Sequence, residues 1–231
     1  MGQVMQRRTS AEVMEELLPI EGSTVVEIGC GDGWLVREMT RKGGHVTGVE
    51  VSPKQLAHAR SFAAAGDEHY LQGIAEDVPM PSRSADIVVF YNSLHHVDKA
   101  GLPKAMREAA RLLRSGGLLY VCEPLAEGHY FELMKPVHDE TEVRHNAQEI
   151  LKLGPEFGLL IEKSFNYMDT ITFADFDAFH NRLTSINPQI RERFLDSEED
   201  LRLSFEKHGQ ENPDGTWTFD HPMRLTLLRR V

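Results

Sequence analysis

Short apolar runs alternate with longer amphipathic stretches over the first two-thirds of the chain. A short apolar run between turn signals predicts a buried strand, whereas apolar residues spaced three or four apart predict a helix. The predicted strands span residues 24–28, 45–49, 68–72, 84–91 and 117–122. The predicted helices between them span residues 34–42, 53–65 and 102–113.

Local signals mark where these elements begin and end. Gly43 and Gly44 follow the first helix and are typical of a helix C-terminus. Ser52 is a favourable N-cap, and Pro53 suits the first position of the second helix. Five strand–helix repeats of this kind favour a mostly parallel sheet covered by helices, with ligands bound outside the carboxyl ends of the strands.

The last third of the chain has a different pattern. A sixth strand is predicted at 159–165 and a final strand within 217–229, with helical pieces at 173–183, 188–195 and 197–208 between them. The predicted fold is therefore α/β and Rossmann-like: a doubly wound, mostly parallel seven-stranded sheet with helices on both faces. A helical insertion separates the last two strands.

The length of 231 residues favours one domain over two. We predict a single domain over 1–231, with an N-terminal helical segment at 1–20 and a helical lid insertion at 169–210. No apolar run approaches the roughly 20 residues needed to span a bilayer, and the first ten residues do not resemble a signal sequence. Cys30 and Cys122 follow or end apolar runs, which favours two buried free thiols and a cytoplasmic location.

The net charge of −11 limits the possible partners. An acidic surface repels phosphate backbones unless a basic patch reverses the local field. The pairs Arg7-Arg8 and Arg229-Arg230 are short and read as solvated charges. Duplex nucleic acid is therefore not expected as a partner.

The first predicted strand runs into the segment EIGCGDGW at 27–34. Glycines at alternate positions (Gly29, Gly31 and Gly33) allow sharp turns and a close approach of the backbone to a ligand. The helix that follows presents free backbone N–H groups at its N-terminus. The loop is therefore predicted to bind a nucleotide-like ligand.

Two kinds of evidence narrow the class of ligand. In the dinucleotide fingerprint G-x-G-x-x-G the pyrophosphate rests on the helix end; here the third glycine comes one residue early, and Trp34 stands where a small residue is needed. Glu27 lies two positions before the first glycine of the loop, and its carboxylate suits a ligand with an ammonium or sulfonium group better than one with a pyrophosphate. Glu50 ends the second strand, where it can bind both ribose hydroxyls or remain an exposed strand-end carboxylate.

The motifs EIGCGDG, GVEVSP, AEDVPMP, SADIVVFYNSLHHV and LLRSGGLLYV follow in order between residues 22 and 123. In this order they resemble the class I S-adenosylmethionine-dependent methyltransferases, especially the small-molecule branch that includes ubiquinone/menaquinone-biosynthesis-type enzymes. The resemblance implies S-adenosyl-L-methionine as cofactor, S-adenosyl-L-homocysteine as product and a small-molecule methyl acceptor as partner.

The resemblance also implies a set of cofactor-binding residues. These are Glu27, Gly29, Cys30, Gly31, Gly33, Glu50, Val51, Ala75, Glu76, Asn92 and Ser93. The loop would form a floor under the methionine part and ribose, and Glu50 would hold the ribose hydroxyls. Ala75 would reach an adenine nitrogen through its backbone N–H, with Glu76 beside it. Asn92 and Ser93 would flank the amino-acid end and the transferring methyl.

One position departs from the family. Relatives often carry an aspartate before the alanine of the adenine motif, where it binds the exocyclic amine, and this chain has Ile74. Glu76 or Asp77 is the substitute that the sequence offers.

A general base is required only where the acceptor must lose a proton, and histidine is suited to that task. The candidates are His95 and His96, after the fourth strand, and His138, after the fifth. The alternative for His95 and His96 is a structural or cofactor-adjacent role. His138, Asp139 and Glu140 are consecutive and point in different directions, so no metal site is expected.

The helical pieces between 169 and 208 have the position and size of a lid. Phe173, Phe176, Phe179 and His180 are predicted either to line an acceptor pocket or to form the lid's own core, since positions 173, 176 and 180 share a helical face.

The sequence leaves four functions open. The first is transfer of a methyl group to a small molecule by in-line displacement. The others are an RNA- or protein-directed methyltransferase, a nicotinamide-dependent oxidoreductase and a non-catalytic S-adenosylmethionine-binding regulator. The acidic charge balance disfavours nucleic acid, and the early third glycine with Trp34 disfavours nicotinamide.

Overall fold

The computed structural model describes residues 5–186, 192–193 and 196–231. Its strands are β1 (Thr24–Ile28), β2 (His45–Glu50), β3 (His69–Gln72), β4 (Ala85–Tyr91), β5 (Leu113–Pro124), β6 (Leu159–Phe173), β7 (Gln210–Glu211) and β8 (Trp217–Arg230). Its bounded helices are α1 (Ser10–Leu17), α2 (Trp34–Arg41), α3 (Pro53–Ser61), α4 (Leu102–Leu112), α5 (His129–Met134), α6 (Thr141–Lys152), α7 (Phe176–Ile186) and α8 (Glu198–His208). Short 3₁₀ turns occupy Leu94–His96 and Gly154–Phe157.

The strands form one sheet in the order β3-β2-β1-β4-β5-β8-β6, with β7 paired to β8. Strand β1 is parallel to both β2 and β4, β2 is parallel to β3, and β4 is parallel to β5. The chain moves outward from β1 to β3 and then returns to the other side of β1. This reversal places a crevice at the carboxyl ends of β1 and β4. The prediction of a doubly wound, mostly parallel α/β fold is confirmed, with the two-residue β7 added to the seven predicted strands.

Several predicted boundaries were wrong. The second helix ends at Ser61 and not at residue 65, because Phe62 has extended backbone angles. Strand β5 begins at Leu113, four residues before the predicted start, and an irregularity in the register between Ala85 and Ile87 accommodates it.

Strand β6 was predicted to end at residue 165 but continues to Phe173. Its second half is held by a distant segment, since Ser10 donates its backbone N–H to Asp169 at 2.9 Å and its hydroxyl lies 2.9 Å from that of Tyr167. Residues 169–173 are therefore strand, and the helical piece predicted from 173 begins at Phe176.

The remaining helical predictions have mixed outcomes. The piece at 197–208 corresponds to α8, and among the described residues 5–20 of the N-terminal segment the helix spans Ser10–Leu17. The piece predicted at 188–195 lies outside the described residues apart from 192–193. The division into a single domain with a lid at 169–210 stays a prediction.

By its internal contacts the chain forms two compact units. The larger contains Ala11–Glu123, His145–Phe165 and Arg224–Val231; the smaller contains Met1–Ser10, Pro124–Arg144 and Asn166–Met223. In the larger unit β1 and β4 are almost completely buried. Their side chains pack against α4, α6 and β5 in one apolar core. Burial on both faces is what a central parallel strand with near-continuous apolar residues requires.

The smaller unit has an aromatic core of its own. Phe173, Phe176 and Phe179 are all buried and pack with Phe205 and Phe219. The ring centroids of Phe205 and Phe219 are 4.9 Å apart, and those of Phe173 and Phe179 are 5.3 Å apart. These phenylalanines therefore form a packed core, which was one of the two predicted roles. Phe173 contributes from a strand and not from the predicted shared helical face.

The two predicted free thiols are confirmed. Cys30 and Cys122 are both buried and form no disulfide. Burial raises the pKa of the Cys30 thiol, so this side chain is held as an unreactive thiol.

A partly buried ion pair fixes the loop that precedes β4. Glu108, on α4, accepts a hydrogen bond from the backbone N–H of Val78 at 2.7 Å and binds the guanidinium of Arg111. Arg111 also donates to the carbonyls of Val78 and Met80 at 3.0 and 2.8 Å. The Arg111 hydrogen bond holds the pKa of Glu108 below its ordinary value despite burial. These hydrogen bonds therefore hold in place a loop that has no regular secondary structure.

We predict that Glu108→Ala lowers the free energy of unfolding by about 1–3 kcal/mol, because the Val78 N–H and the Arg111 guanidinium lose a buried acceptor. Urea unfolding followed by circular dichroism measures the loss. Glu149→Ala is the control, since Glu149 forms the same kind of pair with Lys152 three residues away on an exposed helix face. Equal stabilities of the two variants would contradict the role of Glu108 in holding the loop before β4.

Candidate active site

A cavity of about 560 Å³ lies in the larger unit at the carboxyl ends of its central strands. Its lining residues are Ile28, Gly29, Gly31, Glu50, Val51, Gln55, Gly73, Ile74, Ala75, Glu76, Phe90, Asn92, Ser93, His96, Val97 and Asp98. The volume suits a small organic ligand. The position is the one that the strand order predicts for a ligand site.

The three loop glycines are required for different reasons. All have positive φ angles, of 77° at Gly29, 53° at Gly31 and 74° at Gly33. A Cβ added at Gly29 would lie 2.5 Å from the Cβ of Ser93, and one at Gly33 would lie 2.5 Å from the ring of Tyr70. Gly29 and Gly33 therefore allow two parts of the protein to approach each other.

Gly31 differs because a Cβ there would meet no described protein atom within 4 Å. Its backbone is left-handed, and the residue lines the cavity. The space beside Gly31 is therefore open to a ligand and is not filled by the protein's own packing.

Glu50 joins the glycine loop to the end of β2. Its Oε2 accepts the backbone N–H of Gly31 at 3.0 Å, and its Oε1 accepts the backbone N–H of Ser52 at 2.9 Å. The side chain is largely buried, but it lines the cavity. A carboxylate has about four acceptor positions, so two remain for ligand hydroxyls.

The wall opposite Glu50 is a turn after β4. Asn92 has a left-handed backbone with φ of 51°, and its N–H donates to the carbonyl of Cys122 at 3.0 Å. The hydroxyl of Ser93 donates to the carbonyl of Ile28 at 2.7 Å and so connects this turn to β1. Asparagine tolerates the left-handed region better than most residues, and such conformations cluster at functional sites.

Glu123, the penultimate residue of β5, was not singled out from the sequence. It is fully buried, and its Oε1 accepts the backbone N–H groups of Ser93 and Leu94 at 3.1 and 2.8 Å. Its Oε2 forms a short hydrogen bond with Nδ1 of His95. The available signal was a carboxylate immediately after the apolar run of a predicted central strand, where an unpaired charge is costly.

Glu27 is a second buried carboxylate near the loop. It is 3% exposed, and its Oε2 has no hydrogen-bond partner among the described residues. Burial raises the pKa of Glu27 well above its ordinary value, and the charges of Asp32 and Glu50 raise it further. A backbone hydrogen bond at Val36 acts in the opposite direction.

The residues predicted to bind the cofactor divide into two groups. On the cavity wall lie Gly29, Gly31, Glu50, Val51, Ala75, Glu76, Asn92 and Ser93. Glu27, Cys30 and Gly33 are not part of that lining. Ile74, the departure from the family pattern, is 46% exposed and lies on the wall. The wall also includes four residues that were not predicted to bind: Gln55 and Asp98 lie outside the recognised motifs, and Phe90 and Val97 lie within one of them but were assigned no role.

The three candidate histidines have different surroundings. His96 is exposed and lines the cavity, whereas His95 is buried against Glu123. Their ring centroids are 4.0 Å apart. His138 belongs to the smaller unit, where its Nε2 lies 2.9 Å from Oε1 of Glu140, and Glu140 in turn binds Arg144 at 2.7 Å. Asp139 is exposed and accepts hydrogen bonds from Thr141.

Comparison with known proteins finds a family match for the central segment of the chain. Residues 26–121 match the protein family described as "Methyltransferase domain". These residues contain the last three residues of β1, all of β2 to β4, most of β5 and the glycine loop. The resemblance to class I S-adenosylmethionine-dependent methyltransferases is confirmed over this segment.

Curated relatives share the same part of the chain. A malonyl-[acyl-carrier protein] O-methyltransferase of Pectobacterium atrosepticum is 34% identical over 128 residues, which are 55% of this chain and 49% of the relative. A demethylmenaquinone methyltransferase of Tropheryma whipplei is 32% identical over 102 residues, which are 44% of this chain and 42% of the relative. The chain thus matches about half the length of these relatives or less.

Solved structures resemble nearly the whole chain in fold. An S-adenosylmethionine-dependent methyltransferase from Mesorhizobium loti superposes with a TM-score of 0.57 at 19% identity, covering 95% of this chain and 96% of that one. The [4+2]-cyclase SpnF superposes with a TM-score of 0.63 at 19% identity, covering 95% of this chain and 79% of that one. At these identities the likeness concerns the fold alone.

We predict that Glu27 makes the stability of the ligand-free protein fall as the pH rises. The pKa of Glu27 is higher in the folded than in the unfolded protein, so the folded state binds more protons at pH values between the two. In that window the free energy of unfolding falls by up to about 1.4 kcal/mol per pH unit. Glu27→Gln removes the charge and retains the shape. Urea unfolding between about pH 4.5 and 8 should show wild type losing stability relative to this variant as the pH rises. Parallel curves would contradict the prediction.

Proposed function

We propose that this chain is an S-adenosyl-L-methionine-dependent methyltransferase that acts on a small-molecule acceptor and releases S-adenosyl-L-homocysteine. The main support is the hydrogen bond between the Gly31 amide and Glu50 on the wall of a cavity, within a segment that matches the methyltransferase domain. The two buried free cysteines support a reducing, cytoplasmic environment.

The residues present fit this cofactor. The open space beside Gly31 admits a ligand against the loop backbone. Glu50 retains acceptor positions for two ribose hydroxyls. The apolar side chains of Ile28, Val51 and Ile74 line the cavity and suit the faces of a purine ring. The carboxylate of Glu50 lies on the cavity wall and favours a cationic ligand.

The bound cofactor would supply an electrophilic methyl group on a sulfonium. The protein's contribution is alignment and the exclusion of water. Glu50 would hold the ribose, Ala75 and Glu76 would lie beside the base, and Asn92 and Ser93 would bound the methionine end. Where the acceptor must lose a proton, His96 is the candidate general base that lines the cavity. His95 and His138 stay candidates from the sequence.

A small-molecule acceptor is supported by charge and by the relatives. The net charge of −11 disfavours a polyanionic substrate. One relative is named for malonyl-[acyl-carrier protein] and another for demethylmenaquinone, two acceptors with different chemistry. No helix among the described residues has the length and apolar composition needed to cross a membrane.

We expect isothermal titration calorimetry to detect S-adenosyl-L-homocysteine binding, and we expect Glu50→Gln to weaken it by about tenfold, because an amide presents fewer acceptor positions to the ligand and the loop. Glu68→Gln is the matched control, since Glu68 also accepts two backbone N–H groups, from Ala65 and Gly66 at 2.8 Å, but does not line the cavity. Binding of reduced nicotinamide cofactor in place of S-adenosyl-L-homocysteine would contradict the proposed function.

Turnover is measured separately, as S-adenosyl-L-homocysteine released from S-adenosyl-L-methionine in the presence of candidate acceptors. Candidates include a malonyl thioester and a demethylated quinone, which follow from the relatives' names. Binding without turnover on any acceptor would favour a non-catalytic binding protein over an enzyme.

We further predict that Gly31→Val abolishes S-adenosyl-L-homocysteine binding. A branched side chain would occupy the open space beside the loop, and φ of 53° is a strained conformation for valine. Gly22→Val is the control, because Gly22 also has a positive φ of 72° and open space around its Cβ but lies outside the cavity lining. Both variants should lose stability, and only Gly31→Val should lose binding. Wild-type affinity of a folded Gly31→Val variant would place the ligand elsewhere.

A further inference from the structure

We propose that Glu123 and His95 are a pair of positioning residues that shape the Asn92–Ser93 wall of the cavity, and that Glu123 keeps the proton of the His95 ring on Nδ1. The effect on the cavity rests on the proposed function, whereas the state of the His95 ring is a property of the ligand-free protein.

The first support is the burial of the pair. Glu123 is 0% exposed and His95 is 3% exposed. A carboxylate in such a place is costly unless hydrogen bonds compensate its lost hydration. Glu123 has three of them: two backbone N–H groups on Oε1 and the His95 ring on Oε2.

The second support is the direction of these hydrogen bonds. Two N–H groups donating to Oε1 favour the ionised carboxylate. An ionised carboxylate can only accept, so the hydrogen between Oε2 and the imidazole belongs to Nδ1 of His95. The carboxylate therefore determines which ring nitrogen is protonated in the neutral imidazole.

The third support is what the pair holds in place. Glu123 binds the backbone of Ser93 and Leu94, and Ser93 carries its hydroxyl to the carbonyl of Ile28. The preceding Asn92 is held in a left-handed conformation and donates its N–H to Cys122, next to Glu123 in β5. Asn92 and Ser93 both line the cavity. Glu123 thus fixes the wall without lying on it.

The two adjacent histidines consequently differ in role. His95 points to Glu123 and is not part of the cavity lining, whereas His96 is. Of these two histidines His96 is the one placed to exchange a proton with a molecule in the cavity, and His95 serves to complete the buried pair.

The proposal is tested first in the ligand-free protein. Nitrogen-15 NMR of the imidazole rings, with the His95 signals assigned by comparison with His95→Gln, reports which nitrogen carries the hydrogen. We expect Nδ1 to be protonated in wild type. In Glu123→Gln the amide oxygen faces the two backbone N–H groups and the amide nitrogen donates to Nδ1, so neutral His95 should move its hydrogen to Nε2.

The second measurement is S-adenosyl-L-homocysteine affinity by calorimetry. Glu123→Ala should weaken binding by about tenfold or more, because the backbone N–H groups of Ser93 and Leu94 lose their buried acceptor and the wall relaxes. Glu123→Gln should weaken it by less than about threefold, since it retains an acceptor for both groups. A merely structural role would not produce this difference together with the reversed tautomer.

Asp86→Asn is the matched control for stability. Asp86 also bridges elements, accepting the backbone N–H of Thr24 at 2.9 Å and pairing with Arg114, but it lies near the amino end of β4. It should lower the unfolding temperature and leave S-adenosyl-L-homocysteine affinity unchanged.

Two results would overturn the proposal: a His95 hydrogen on Nε2 alone in wild type, or wild-type affinity in a folded Glu123→Ala variant. If Glu123→Ala does not fold, Glu123→Gln decides, and an unaltered tautomer in that variant overturns the proposal. If wild type binds no S-adenosyl-L-homocysteine, the proposed function fails and the ring spectra alone decide the state of the pair.

Discussion

The hydrogen bond from the Gly31 amide to Glu50 joins the carboxyl ends of β1 and β2, and the arrangement of the cavity depends on it. The same carboxylate binds the amide of Ser52, which is the N-cap residue of α3. One side chain therefore fixes the glycine loop, the end of β2 and the beginning of a helix. On the other side, the absence of a side chain at Gly29 lets Ser93 come close enough to bond the carbonyl of Ile28. The Glu50 carboxylate therefore connects one wall of the cavity to the loop after β1, and the Ser93 hydroxyl connects another wall to the end of β1.

Three carboxylates lie at the carboxyl ends of parallel strands in this unit, and each meets the cost of burial differently. Glu50 has two backbone donors and contact with the cavity. Glu123 has two backbone donors and a histidine. Glu27 has an oxygen without a partner among the described residues, and its raised pKa is the consequence. A shared location thus produces one group that faces the cavity, one buried group with three hydrogen bonds and one group whose charge is costly.

The sequence was sufficient for the parts of the fold in which local pattern and burial agree. Strand β1 was predicted at its exact bounds, because an apolar run between polar residues leaves one arrangement in a parallel sheet. The second half of β6 was missed because several of its residues are only partly buried, so no clear alternation of buried and exposed positions marks a strand there, and its conformation depends on Ser10, more than 150 residues away.

The site was predictable where the family resemblance assigned a role to a particular residue. Glu50, Ala75 and Ser93 were expected near a ligand and line one cavity. Val97 and Asp98 reach the same cavity only because the 3₁₀ turn Leu94–His96 redirects the chain, and that turn is held by long-range contacts to β5. The role of Glu123 could not be predicted because it also depends on long-range contacts: its hydrogen-bond partners are 28 to 30 residues away in sequence.

The fold alone does not determine the chemistry, because a [4+2]-cyclase and methyltransferases share it. The sign of the charge around the cavity distinguishes between classes of ligand better than the fold does. The charge of Glu50 is close enough to Glu27 to raise the pKa of Glu27. A pyrophosphate would add negative charge to this surrounding, whereas a sulfonium would offset it. Under the proposed function, the charge of Glu50 would favour a cationic sulfonium donor over its uncharged thioether product.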